Sequence, residues 1–121
     1  MFDSLRLDRG FWYLATPYSK YPDGIEAAFV AAAKAAARLI AAGVPVYSPI
    51  AHTHPIAIHG GMDPLDHKIW LPADMPMMTA AHGLLVAKLL TWDKSYGIAI
   101  EIGEFARSGK PIEYLESADL Q

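Results

Sequence analysis

The chain has 121 residues, 53% of them hydrophobic, a formal charge of −3 and no cysteine. That length suits one domain with a well-filled core, and the lack of cysteine excludes disulfides, thiolate metal sites and a cysteine nucleophile. No Lys/Arg cluster marks a nucleic-acid surface, and the longest apolar stretch, residues 27–46, is interrupted by Lys34, Arg38, Gly43 and Pro45, so no membrane span is expected.

In chain order, residues 1–10 read as a polar-mixed lead-in; with Asp3 and Asp8 and no long apolar run they are not a signal peptide, and a cytoplasmic protein is expected. Phe11–Ala15 predicts a first strand, followed by the loop Thr16-Pro17-Tyr18-Ser19-Lys20-Tyr21-Pro22. Asp23 and Glu26 form a capping-box-like pair opening an Ala-rich helix from about Gly24 to Ala42, stopped by Gly43. Its small side chains permit close packing against a sheet or another subunit. Val44–Ser48 predicts a second strand, and Pro45, which lacks a ladder donor, places it at a sheet edge or makes Pro45 near its start.

Residues 49–61, bearing His, Pro and Gly, read as a loop. Asp63 and Pro64 read as N-cap and first residue of a short helix ending near Trp70, and Pro72 as the start of another through about Ala81. Gly83–Leu89 is short and apolar enough for a buried third strand. Ser95 reads as the N-cap of a helix to about Ser108 with Gly109 beyond its end, and Pro111–Leu115 as a fourth strand. The alternation predicts one α/β domain of flavodoxin- or Rossmann-like type, its core spanning about residues 11–115. It should hold a four- to five-stranded parallel sheet with helices on both faces. Ligands of such sheets sit at the carboxyl ends of the strands, which places the loops after Ala15, Ser48 and Leu90 around one crevice.

Three groups of residues converge there. In the first, Tyr13 stands with Thr16, Ser19 and Lys20; in the second, His52, His54 and His59 stand with Asp63 and Asp74. The third is Ser95, Gly97 and Glu101 on the last helix, whose buried stripe is Ile98, Ile102 and Phe105. Helical side chains lean toward the N-terminus, so Glu101 points back over Gly97, and the free N–H groups of that terminus offer an anion a place to bind. Read plainly, Glu101 is equally a surface residue of an amphipathic helix. Paired carboxylates are what glycosidic-bond cleavage requires, and Asp63, Asp66, Asp74 and Asp93 are all candidates for the second. His52-x-His54 on an extended segment, with His59, suggests a metal site, but no further ligand lies at a recognisable spacing, so neither metal nor cofactor is expected. Met75, Met77 and Met78 read as packing residues next to the crevice, with the lining of a base pocket as the alternative, and Trp92 either stacks on a planar ligand or plugs the sheet end.

Tyr13-Leu14-Ala15 with its loop, Asp74-x-x-Met77-Met78, and Ser95-x-Gly97-x-x-x-Glu101-x-Gly103 resemble the motifs of the nucleoside 2-deoxyribosyltransferase superfamily, which includes the 2′-deoxynucleoside 5′-phosphate N-hydrolases. The resemblance runs from about Phe11 to Leu115. It implies that Glu101 is a nucleophile attacking the sugar C1′, that Asp74 assists departure of the base, and that Tyr13 orients Glu101. Ser95 resembles the residue of the monophosphate hydrolases, where free-nucleoside transferases carry Asp. Departures are His82, where the family usually has Asp, the Thr16–Lys20 loop, and a longer loop around Trp92. A hydrolase of (deoxy)nucleoside 5′-monophosphates forming a homo-oligomer is therefore expected. Its alternatives are a deoxyribosyltransferase and a non-catalytic nucleotide-binding module.

Overall fold

The computed structural model describes residues 1–121. Its frame is a four-stranded, all-parallel sheet in the order β2-β1-β3-β4, formed by β1 (Trp12–Ala15), β2 (Val46–Tyr47), β3 (Gly83–Lys88) and β4 (Ile112–Glu116). Every residue of β1 is buried, as are the first five of β3. These two strands are central and covered on both faces, which is why they read as unbroken apolar runs. Register pairs Tyr13 with Leu84 and Ala15 with Val86. The short β2 lies at the edge expected from Pro45, and the Pro45 carbonyl still accepts from the Trp12 N–H at 2.9 Å.

Two apolar layers flank the sheet. On one face, Leu14, Leu85 and Leu115 pack with Ala35 and Leu39 of α1 (Ile25–Ala41). Phe2 and Leu5 join this layer, and Trp12 Nε1 donates to the Leu5 carbonyl at 2.7 Å. The N-terminal segment is thus part of the core rather than a lead-in, because its two large apolar residues, Phe2 and Leu5, are buried in this layer. On the opposite face, Tyr13, Leu84 and Val86 pack with Met78 of α3 (His67–Ala80) and with Ile98 and Phe105 of α4 (Tyr96–Arg107). No helix is long and apolar enough to cross a membrane.

Three local expectations are corrected. Residues 49–61 are not a loop but helix α2 (Pro49–Gly60), opened by the Ser48 side chain accepting from the Ala51 N–H at 3.1 Å and closed by Gly61 at φ +67°. Proline at the first helical position and glycine past the last are its terminal signals. Residues 63–81 carry one helix, not two: Asp66, rather than Asp63, caps α3, which runs through both Pro72 and Pro76. The pair Asp23/Glu26 makes no capping box, since Gly24 is the N-cap of α1 at φ +97° without a side-chain hydrogen bond.

The chain passes from β1 through α1 to the edge strand β2, then back across β1 to β3 and onward to β4. The strand order therefore reverses between β1 and β3, and a crevice opens at their carboxyl ends. Gly83 is the tightest point beneath it: a Cβ there would stand 2.6 Å from both the Pro111 carbonyl and the Trp12 ring. Gly83→Ala should cost about 1–3 kcal/mol through overpacking, read as a lower denaturation midpoint with an unchanged denaturant slope.

Candidate functional site

The crevice, about 750 Å³ counted out to solvent, is walled by residues from several segments. The loop after β1 gives Thr16, Tyr18 and Ser19, α3 gives His67, Trp70 and Asp74, and α4 with its cap gives Ser95, Gly97, Ile100 and Glu101. Pro49, Ile50 and Thr53 of α2 close the remaining side, and Tyr13 forms the floor. Of the residues singled out in the sequence, Tyr13, Thr16, Ser19, Asp74, Ser95, Gly97 and Glu101 meet here. Lys20 and Trp92 do not. Trp92 packs edge-on against Tyr114 at 5.8 Å, with Lys88 over its ring, so it closes the sheet end instead of stacking on a ligand in this crevice. Lys94 is not in the wall either, so no lysine or arginine lines it.

Helix α4 carries two assignments at once. Ile98 and Phe105 are buried against the sheet, which turns the Gly97–Glu101 face toward the crevice. Ser95 Oγ accepts from the Ile98 N–H at 3.2 Å, completing the cap. A methyl group at Gly97 would meet nothing nearer than Ser95 Oγ at 3.9 Å, so the space over that residue belongs to the crevice. The helix start thus presents backbone donors and an unobstructed approach.

The electrostatics of the floor are unusual. Burial pushes the Glu101 carboxyl up to about 8; the Tyr13 hydroxyl beside it pulls the other way, and the Asp74 charge adds to the rise. Burial also lifts Asp74 to about 6. The Tyr13 phenol is held far above its ordinary range, first by burial and then by the charges of Glu101 and Asp74. Burial, with the Asp74 charge second, raises the neighbouring Tyr47 to about 12. Two interacting carboxyls titrate as a unit, so between about pH 6 and pH 8 the pair holds one proton. Tyr13 Oη, Thr16 Oγ1 and Asp74 Oδ1 are all buried without a well-aligned hydrogen-bond partner, and the Tyr13 hydroxyl stands close enough to Glu101 to favour its ionised form. Buried polar atoms of this kind normally have partners, and three of them converge on one space with room for a polar ligand.

The histidines are dispersed. A helical α2 puts His52 and His54 on different sides, His52 and His59 are exposed, and His54 is 4% exposed in the interior. No group of three or more His, Asp or Glu side chains is arranged to hold a metal ion. Residues the sequence did not single out for the site are Tyr18, His67, Trp70 and Thr53. Trp70 is tethered through its Nε1, which donates to the Asp63 carbonyl at 2.7 Å. The signal for Thr53 was the unrecognised helix itself.

Both carboxyls titrate higher in the folded protein than their ordinary values of 3.8 and 4.5, so the folded state binds more protons than the unfolded chain. The favourable contribution is complete below about pH 4 and is lost as pH rises through 6 and 8. Glu101→Gln removes the larger share of that loss. Its stability relative to wild type should improve by about 2 kcal/mol between pH 5 and pH 9, allowing for solvent in the crevice. Denaturant titrations of both proteins at the two pH values check this; a difference that does not change with pH means that Glu101 is not desolvated.

The model of a protein family described as a domain of unknown function, DUF1937, matches residues 10–117, and the chain belongs to that family. No curated protein matches it.

Proposed function

We propose that this DUF1937 protein cleaves the N-glycosidic bond of a (deoxy)nucleoside 5′-monophosphate, releasing free base and sugar phosphate. The observation that carries the reading is the pairing of Glu101 with Asp74 over the buried Tyr13 hydroxyl, in a crevice at the carboxyl ends of a parallel sheet. Cleavage at an anomeric carbon uses two carboxyl groups sharing one proton, one to stabilise or attack the carbon and one to protonate the leaving group. The resemblance of the Tyr13, Asp74 and Ser95–Gly103 motifs to the nucleoside 2-deoxyribosyltransferase superfamily supports the same roles, and with them a homodimer or larger homo-oligomer.

In this reading the Glu101 carboxylate attacks C1′ and forms a glycosyl ester. The C1′–N bond breaks, and its electron pair departs with the base, which takes the Asp74 proton. Water then adds to C1′, gives one proton to the Asp74 carboxylate and displaces Glu101. In the empty site the higher affinity for the shared proton lies with Glu101. The reactive form has it on Asp74. The Tyr13 hydroxyl already lowers the proton affinity of Glu101, and a shorter, better-aligned contact between them when substrate fills the crevice moves the proton toward Asp74.

Glu101→Ala or Glu101→Gln should lower the rate by orders of magnitude. More than about a tenth of wild-type activity remaining, a change of only about 1.4 kcal/mol, rules out the nucleophile role. The kcat/KM profile should be bell-shaped, with limbs near the two values of the carboxyl pair, about 6 and about 8. Below the lower limb both groups are protonated and no nucleophile exists; above the upper one both are ionised and no acid remains. Asp74→Asn should remove the alkaline limb and harm poor leaving groups more than activated ones.

One observation favours a second substrate: with Lys20 and Lys94 outside the wall, no fixed cation meets a phosphate. The alternative is base exchange on an uncharged deoxynucleoside. If the start of α4 holds a 5′-phosphate, monophosphates should exceed the matching nucleosides in kcat/KM by tens of fold or more, one or two charge-assisted hydrogen bonds being worth roughly 1.5–3 kcal/mol each. Ser95→Asp should then close or invert that gap by repulsion. A wild-type preference for the nucleoside, with its sugar transferred to an added base, selects the transferase.

A further inference from the structure

A hydrogen-bonded line crosses the molecule from solvent to the crevice, and the reaction above makes no use of it. Tyr18 Oη lies 2.6 Å from His54 Nδ1, and His54 Nε2 lies 2.7 Å from Glu26 Oε2. Glu26, at the outer end, is exposed; His54 is enclosed and stacked on the Phe29 ring at 4.7 Å; Tyr18, at the inner end, forms part of the crevice wall. The three residues come from the loop after β1, α1 and α2, so the line also fixes where α2 closes the crevice.

The proton inventory of this line has one solution when the histidine is neutral. An ionised carboxylate only accepts, so His54 must carry its proton on Nε2 and donate it to Glu26. Nδ1 is then a lone pair, and the Tyr18 hydroxyl must be the donor to it. Burial, with the Glu26 charge second, holds the Tyr18 phenol up at about 12, so it keeps that proton at neutral pH. With its only proton committed inward, the oxygen has nothing left to offer the crevice except lone pairs. Two residues earlier, the buried Thr16 hydroxyl has no protein partner, so this loop presents unmet hydrogen-bonding capacity to whatever fills the crevice.

We propose that Tyr18 is a specificity-determining residue of the crevice: an oxygen fixed as an acceptor by His54 and Glu26, selecting ligands that bring a hydrogen-bond donor to it. On the nucleotide reading, on which this part rests, that donor is a sugar hydroxyl or the exocyclic amino group of a base. His54 and Glu26 are positioning residues that act through Tyr18.

Two measurements test it. The first needs no substrate: nitrogen NMR of histidine-labelled protein at neutral pH, with the His54 signals assigned by loss in His54→Gln. Nε2 should be protonated and Nδ1 bare, and Tyr18→Phe should shift Nδ1 far more than Nε2. A proton on Nδ1 overturns the proposal. The second compares kcat/KM of wild type and Tyr18→Phe on two pairs of nucleoside 5′-monophosphates, one differing in the 2′-hydroxyl and one in an exocyclic amino group. In one pair the wild type should favour the donor-bearing member by about five- to tenfold and Tyr18→Phe by less than about twofold, the worth of one neutral hydrogen bond. The pair that collapses identifies the donor. Glu26→Ala, which frees His54 to take either tautomer, should weaken the same preference, and Glu26→Gln, whose amide oxygen still accepts, should keep it. Unchanged preferences in Tyr18→Phe, an equal loss on all four compounds, or no wild-type preference in either pair overturns the role. Turnover of none of the four defeats the nucleotide reading instead, and the NMR result still decides the polarity of Tyr18.

Discussion

The site depends on the desolvation of two acids. Glu101 and Asp74 sit half-buried in the crevice above a phenol that is itself fully enclosed, and the loss of surrounding water raises the cost of ionising each of them. Such an arrangement is unfavourable for folding, because buried carboxylates must either stay protonated or be compensated. It persists because the strands beneath are over-determined. Tyr13 is held in β1 between two parallel neighbours, and its ring packs against Phe105 at 5.7 Å and Tyr47 at 5.8 Å. The phenol cannot withdraw to find a partner, so the need for one is passed to the crevice.

The helices that bring in the acids are not equally self-sufficient. Helix α4 has a side-chain cap, an apolar stripe and no internal proline. Helix α3 is intrinsically weak: Pro72 and Pro76 withhold the N–H groups that would bond the carbonyls of Lys68 and Pro72, and Asp74 lies between them. Its stability comes from packing, with Met78 in the core and with Lys110, just after α4, whose Nζ donates to the Met78, Thr79 and Ala81 carbonyls at 3.0, 2.6 and 2.8 Å. A cation at a helix C-terminus satisfies orphan acceptors and complements the dipole. One lysine therefore ties the end of the Asp74 helix to the segment just after the Glu101 helix.

Where local physics decided the outcome, the sequence was readable. The buried runs of β1 and β3, the edge position of β2 and the capped, striped α4 follow from periodicity and terminal residues, and with them the placement of Tyr13, Ser95, Gly97 and Glu101. Asp74 was one carboxylate among several; spacing alone did not separate it from Asp63, Asp66 or Asp93, and only packing of α3 brings it to the wall. Helix α2 was obscured by Pro55 and its histidines, although Ser48, Pro49 and Gly61 are correct terminal signals. The Asp23/Glu26 pattern misled for a tertiary reason: Asp23 adopts φ +69° and Glu26 is engaged by His54, 28 residues away. The inward position of Tyr18 is held by that same long-range line, which no local pattern encodes.

The raised pKa values of the two carboxyls also bear on how an anion would be held without lysine or arginine. Were both carboxyls ionised, the floor would carry two negative charges close to the start of α4, and a phosphate there would face repulsion in a poorly screened space. Sharing one proton halves that charge across the neutral range. The remaining attraction comes from the free N–H groups and partial positive charge of a helix N-terminus, with hydroxyls at Ser95, Thr16 and Ser19 in the same wall. On the proposed reading such a site would bind through directed hydrogen bonds rather than through net charge, so affinity for an anionic ligand should resist salt better than affinity built on surface lysines. The same desolvation that makes Glu101 and Asp74 costly to fold would thus, on the proposed reading, let one crevice hold an acid pair and an anion together.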